Sequence, residues 1–417
     1  MSAKTTSRHR ELGLVGILGL VVGLVSFEQL GITYLMPFIQ PALQLSNMQV
    51  GLLMSAYWVP LAISSFAAGA LADHGGRHKL LLIVALLAFA ACSILSGLVD
   101  SFATLLAARA LMGFWEGALL TISQSIVALE SSPERRSTNM GIVGGVCPNI
   151  LGIIIAPLVL VQIASLYEWR TGFFIVILPA LACALLIARF VGEPQRAIAS
   201  HRSVADRSNG GGRISEALTL RNVWLCAALC CLYVVYMNLG FTFLPLYYVN
   251  ARRFSAEQMS FLMGLLGISA VLYALVLPLI ANRVGRKPVM IVASGLSLIC
   301  PLAALYFDGS TALLALLLLV GWALSGSATL FAATIPAETV PPGSLSTVIG
   351  LIIALGVLIG GLAGPSLAGW SADRWGLQAP LLLQVAAAVA AAAVSAALHE
   401  TAPRRISSTR AHLVPAE

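Results

Sequence analysis

An all-α membrane protein with twelve transmembrane helices in two pseudo-symmetric six-helix bundles is the fold class this sequence predicts, and three observations predict it. Of the 417 residues, 59% are apolar and only 10% charged, against about 25% charged in an ordinary soluble domain. Uncharged runs follow one another along the whole chain, at 29–72, 80–99, 137–167, 222–251, 258–282, 288–307, 309–337, 339–372 and 375–399. A short motif in the first half recurs in the second.

Each uncharged run is long enough for one or two spans, since a helix needs about 20 apolar residues to cross a bilayer. A β-barrel would show short alternating segments instead. Helices satisfy their own backbone hydrogen bonds in lipid, which leaves them as the solution here. A mean hydropathy of +0.93 excludes a soluble domain carrying a single anchor.

The first span, 12–39, follows Arg8 and Arg10. At nearly thirty residues it is too long for the apolar region of a signal peptide, and no small-residue cleavage site follows, so it reads as a retained helix. Charges and turn residues then bound spans at 49–72, 79–99, 102–128, 139–164 and 171–191. Residues 192–221, with Gly210, Gly211 and Gly212 among scattered charges, read as a cytoplasmic linker. Six further spans follow at 222–248, 257–281, 288–307, 311–336, 346–369 and 378–398. The organisation expected is therefore a bundle at 1–191, the linker at 192–221, a second bundle at 222–398 and a cytoplasmic tail at 399–417.

Lys and Arg concentrate in cytoplasmic loops. Placing the N-terminus inside puts eighteen of the 24 basic residues on that side. Only Arg170, Arg252, Arg253 and Arg374 fall on the other, while Arg109 and Arg189 lie within helices. Both termini are thus expected in the cytoplasm, in the cytoplasmic (inner) membrane of a bacterium. The net charge of +7 is accounted for by topology, so no nucleic-acid partner is implied.

Residues 69–79, Gly-Ala-Leu-Ala-Asp-His-Gly-Gly-Arg-His-Lys, align with Pro-Leu-Ile-Ala-Asn-Arg-Val-Gly-Arg-Lys-Pro at 278–288. At the same offset Gly141 and Gly152 fall on Gly350 and Gly361. Several matches at one offset argue for duplication, and repeated halves place a binding site near mid-membrane. With this motif between spans two and three, echoed between eight and nine, the chain resembles the major facilitator superfamily over nearly its whole length. The resemblance implies a gating loop that favours the outward-open state, carried here by Gly69, Asp73, Gly76, Arg77 and Lys79 and echoed by Gly285 and Arg286. Asp73 would meet a helix N-terminus, and the bases would pair with acids.

Among the seventeen acids, only Glu28 and Glu116 fall well inside the membrane, with Glu338 near the end of span ten. Arg109 is the one arginine deep in a helix. Charged side chains at that depth are costly and mark pathways or proton relays; the alternative is a purely structural ion pair. Arg109 and Glu116 are seven residues apart, hence on one helix face and about 10 Å apart along the axis. Gly113 lies between them and leaves room for a ligand or a neighbouring helix. The pattern Arg109-x-x-x-Gly113-x-x-Glu116 with an acid in span one is similar to the anion:cation symporter branch of the superfamily. That resemblance implies proton acceptors at Glu116 and Glu28, with Arg109 coupling protonation to substrate. Spinster-like lipid transporters share these residues, so the motif leaves the cargo open, and the extra arginine that strong anion binders carry in span one or seven is absent. Arg109 alone suits a monoanion better than a dianion.

The remaining pocket candidates are Gln29, Tyr34, Tyr57, Asn149, Tyr236, Asn238, Trp322 and Ser325. These polar and aromatic side chains suit carboxylate and hydroxyl groups, and they serve equally to hold helices together. Gly144, Gly145, Cys147, Pro148 and Gly152 resemble a loose form of the fifth-helix motif of proton-driven drug exporters, which small-residue helix packing explains as well.

The seven cysteines all lie in spans and read as small apolar packing residues. No metal-ligand set and no Gly-rich phosphate loop appears, so neither a metal, a cofactor nor ATP-driven pumping is expected. A ligand-binding sensor would show a soluble output domain, and an enzyme would show clustered catalytic groups on a loop. The expected function is import of a small organic anion such as a sugar acid, hydroxy acid or aromatic acid, with protons, by a monomer in the lipid bilayer. Proton-linked efflux of amphipathic compounds is the alternative.

Overall fold

A computed structural model describes the backbone of residues 2–75, 77–132, 135–193, 218–340 and 345–402, and their side chains except at 2–9, 69, 70, 72–75, 137, 346 and 347. Gly76 and most of the 192–221 linker and the 399–417 tail lie outside the described residues, as do the side chains at Gly69 and Asp73.

Twelve helices are long and apolar enough to cross a membrane: α1 (Arg10–Ala42), α2 (Asn47–Ala68), α3 (His78–Leu98), α4 (Phe102–Glu130), α5 (Thr138–Leu166), α6 (Trp169–Phe190), α7 (Arg221–Ala251), α8 (Ala256–Val284), α9 (Arg286–Tyr306), α10 (Thr311–Thr339), α11 (Val348–Trp375) and α12 (Gln378–Ala397). Among the described residues there is no strand. The predicted all-helical membrane class is the observed one, and the observed ends differ from the expected ones by a few residues.

The chain forms two compact units, Met1–Arg207 with Arg252–Gly264, and Ser208–Ala251 with Leu265–Glu417. A bond from the Ser260 hydroxyl to the Pro157 carbonyl, 2.8 Å, belongs to the first unit.

Local sequence sets the helix ends. Ser46 and Ser101 each cap the helix that follows and accept from the third residue on, Gln49 and Thr104, whose side chains bond back. These are capping boxes. Within α2 the helix breaks into a turn at Ala56–Tyr57. Pro60 has no N–H to give the Ala56 carbonyl and its ring crowds it, which accounts for the break.

In the first unit, glycines bring backbones together. A Cβ at Gly113 would overlap the Tyr57 carbonyl oxygen, and one at Gly117 would overlap the Leu61 carbonyl. The space at Gly113 is therefore taken by α2. Similarly, a Cβ at Gly152 would stand 2.7 Å from the Ser26 carbonyl oxygen, and one at Gly19 2.7 Å from Cys147 Sγ. The α5 glycines and Pro148 sit among π-helical turns, Ile142–Val146 and Asn149–Ile155. Gly152 thus serves close packing on α1, the simpler of the two readings of the fifth-helix pattern.

Because the obstacle at Gly113 is backbone, Gly113→Ala must push α4 and α2 apart. Overpacking of this kind costs about 1–3 kcal/mol. The expected result is a lower melting temperature of the purified protein in detergent, with Ala110→Gly in the same helix, where a methyl is removed and nothing added, as the contrasting variant.

Candidate functional site

The first unit holds a charge cluster shielded from solvent. Glu28 on α1 is 2% exposed, Arg109 on α4 1% and Glu116 on α4 0%. Arg109 is within electrostatic reach of both carboxylates, and the carboxylates are within reach of each other. The guanidinium carbon lies 5.5 Å from the centre of the Tyr57 ring, a cation–π distance. Its Nη1 donates to Met112 Sδ at 3.3 Å. The break in α2 and the contact at Gly113 together deliver Tyr57 to this position. Gln29, one residue beyond Glu28, donates from Nε2 to the Tyr57 hydroxyl. Gln29, Tyr57 and Arg109 are therefore brought together, along with both acids.

Hydrogen bonding in this cluster is incomplete. Arg109 Nε, Glu28 Oε1 and both Glu116 oxygens are buried without a hydrogen-bond partner. Ser93 lies beside Glu28, and its hydroxyl donates to the Phe173 carbonyl at 2.7 Å. Buried polar groups without partners are uncommon and call for an explanation. One arginine against two carboxylates also leaves a net charge of −1, which one bound proton removes.

The other pocket candidates are dispersed. Tyr34 is fully buried, and its hydroxyl has no partner. Asn149 is half-buried and its amide makes no hydrogen bond among the described residues. In the second unit Tyr236 is fully buried and donates to the carbonyls of Ser297, 2.8 Å, and Gly321, 3.2 Å. Its ring lies 5.2 Å from that of Trp322, itself fully buried. Asn238 donates to its own helix at the Val234 carbonyl, 2.9 Å, and Ser325 to the Trp322 carbonyl, 2.6 Å. Tyr236 thus ties α7 to α9 and α10, with Trp322 packed against its ring, whereas Asn238 and Ser325 bond only locally, to carbonyls three or four residues back.

The motif loops place their charges differently from expectation. Arg77 is exposed. The Lys79 ammonium donates to the Ala188 carbonyl at 2.6 Å, so it meets backbone where an acid was expected. Its own N–H, in the first turn of α3, points to both oxygens of Glu193 at 3.2 Å. Glu193 thus accepts at the N-terminus of α3, while the Asp73 side chain lies outside the described residues. In the second unit Glu400 does the same for α9, accepting from the N–H of Arg286, 2.8 Å, and Lys287, 3.2 Å. Desolvation opposes ionisation of Glu400, yet these bonds with those from Ala402 and Thr401 hold its carboxyl below the usual range. Gly285, at φ +115°, leaves space for that carboxylate, since a Cβ would stand 2.6 Å from Oε2. The Arg286 guanidinium takes Glu338 in a two-pronged grip, 2.9 and 3.4 Å, and reaches Asn282 Oδ1 at 2.6 Å.

Glu193 and Glu400 were not anticipated. Their signal was an acid a few residues beyond the last helix of each half, at nearly the repeat offset. His78, the first residue of α3, is fully buried with both ring nitrogens unpartnered. Among the described residues no group of three His, Cys, Asp or Glu side chains is placed to hold a metal ion.

Comparison with known proteins agrees with this architecture. The chain is 30% identical over 243 residues to a hexuronate transporter of Bacillus subtilis, a match covering 56% of this chain and 57% of that one. It is 26% identical over 344 residues to a probable 4-methylmuconolactone transporter of Cupriavidus pinatubonensis, covering 80% and 78%. A crystal structure of a bacterial homolog of the human lysosomal transporter Spinster shares the fold, with a TM-score of 0.76, 16% identity, and coverage of 93% of this chain and 96% of that one. Matching the Major Facilitator Superfamily over residues 18–352 and 255–415, the chain belongs to that family, whose members are membrane transporters of small molecules and not enzymes.

Proposed function

We propose that this transporter imports a small organic monoanion, of the sugar-acid or aromatic-acid kind, together with protons, and that Glu28, Glu116 and Arg109 form its coupling site. The observation that carries the reading is the buried cluster of one arginine and two carboxylates. A buried net charge is strongly disfavoured, so the empty site holds one proton, shared by the pair. Protonating the second carboxylate releases Arg109 from its last counter-charge. The guanidinium then attracts an anion, and the Tyr57 hydroxyl and the Gln29 amide stand beside it to orient a carboxylate or hydroxyl. With Arg109, two carboxylic acids and a monoanion, the loaded site is neutral again. Each monoanion therefore moves with one proton, and the membrane potential does no work on the cycle.

Hexuronates are monocarboxylate sugar acids, and the relative that bears their name supports this class of cargo. The basic residues support an orientation with both ends in the cytoplasm, in a bacterial inner membrane. The bundle limits at 191 and 222, a monomeric state and a gating role for the Asp73, Arg77 and Lys79 loop belong to the same reading.

The test uses purified protein in liposomes that hold a pH-sensitive dye, with D-glucuronate, hydroxy acids, aromatic acids and lipophilic cations added outside. Acidification of the lumen by an anion, equally fast with the potential clamped at zero or inside-negative, is the expected result. Alkalinisation of an acid-loaded lumen by the cations, with no response to any anion, would make the protein an exporter and overturn the reading.

A further inference from the structure

The second unit contains a cavity of about 820 Å³ at the end of α8, within the range of roughly 300–1,000 Å³ typical of small-molecule sites. The connection from α8 to α9 lies on the same side of the membrane as the chain ends, because an even number of spans separates them. One wall is apolar: Val276, Leu279 and Ile280 line it and are 42%, 65% and 42% exposed. The rim is polar, formed by Asn282, Arg283, Arg286 and Glu338.

Those polar groups are unequally engaged. Glu338 is saturated by the Arg286 fork and by the Thr401 hydroxyl, 2.6 Å from Oε2. Asn282 presents its oxygen to Arg286, which leaves its amide N–H groups turned elsewhere. Arg283 is exposed and makes no hydrogen bond or ion pair among the described residues. Two guanidinium groups against one carboxylate give the rim a net charge of +1, and its unengaged groups, the Arg283 fork and the Asn282 amide, are both donors. An apolar wall beside free donors of net positive charge fits a molecule with an anionic oxygen group and a small apolar body.

We infer that this cavity is a second, weaker binding site for a soluble organic carboxylate, held by Arg283 and Asn282 on the side of the membrane where the chain ends lie. The inference rests on the proposed transport of organic anions, and the occupant belongs to the same chemical class. Under the proposed orientation the site faces the cytoplasm, where an arriving anion meets it after leaving the coupling site. An anionic phospholipid headgroup offers the same chemistry from another source, and the lipid composition in the experiment separates the two.

Titration calorimetry on the full chain in zwitterionic phosphatidylcholine nanodiscs tests this, with D-glucuronate and benzoate as probes. The expected isotherm has two classes of site. Arg283→Gln should weaken the weaker class by about tenfold or more, the size of a lost charge-assisted contact, and leave the tighter class unchanged. Leu279→Trp, which fills the cavity and keeps every charge, should remove the weaker class as well. A single class of site, or a weaker class that both variants leave intact, overturns the inference while the transport reading stands. Loss of the weaker class when phosphatidylglycerol replaces part of the lipid would assign the cavity to a headgroup and overturn it too. Failure of every anion to move protons in liposomes, with both classes of site present, would fail the transport reading instead.

Discussion

Replacing both carboxylates, Glu28→Gln with Glu116→Gln, should abolish proton-driven accumulation while leaving exchange of substrate across the membrane largely intact. With one coupled proton, a gradient of one pH unit supports about tenfold accumulation of a monoanion, because each tenfold ratio corresponds to about 1.4 kcal/mol. Glutamine is nearly isosteric with the protonated acid and cannot release its proton. The double variant therefore leaves Arg109 with no counter-charge and no group that can take or release a proton, and substrate binding no longer requires one from solution. Accumulation should fall to a ratio of about one, whereas counterflow of labelled anion against unlabelled anion, which needs no net proton movement, continues. Uptake assays in liposomes with and without a pH gradient read both quantities. A double variant that still accumulates substrate tenfold would show that neither carboxylate carries the coupled proton and that their burial is structural.

Arg109→Lys should fail to transport although it keeps the charge. In the structure the guanidinium is held by the face of the Tyr57 ring and by Met112 Sδ while it is in reach of Glu28 and Glu116. A planar group with five donors can serve several partners at once, whereas an ammonium is a compact point charge on a flexible stem. Lysine cannot hold the Tyr57 ring face and Met112 Sδ while staying in reach of both carboxylates, and it forfeits fork contacts to a bound anion, each worth about 1.5–3 kcal/mol. The transport rate should fall by roughly tenfold to a hundredfold. Arg109→Met is the harsher variant. Removing one partner of a buried pair costs about 3–5 kcal/mol, so it should lower the melting temperature in detergent, where Arg109→Lys should change it less. Normal uptake by Arg109→Lys would mean that only the sign of the charge matters at this position.

Both predictions depend on residues that the sequence singled out before any geometry was known. Membrane depth made this possible. A lipid core tolerates few charges, so Glu28, Arg109 and Glu116 stood out among the described helices by position alone. The pocket candidates lacked such a signal. A tyrosine in a span either faces a cavity or bonds a neighbouring carbonyl, and its identity does not distinguish the two. Tyr57 and Tyr236 show the difference: one lies under Arg109, and the other donates to Ser297 and Gly321.

What the sequence determined by itself was therefore what a one-dimensional distribution of charge and apolarity can carry. It determined twelve helical spans, because lipid enforces a minimum apolar length and internal hydrogen bonding. It also determined a duplicated motif and three ionisable groups at membrane depth. The tertiary structure decided which atoms meet. It placed the α2 backbone in the space at Gly113, brought Tyr57 under the guanidinium, and set Glu193 and Glu400 at the N-termini of α3 and α9. These meetings join residues far apart in the chain. They follow from where helix breaks, glycine contacts and unsatisfied backbone N–H groups fall in space, and no local pattern of residues encodes that.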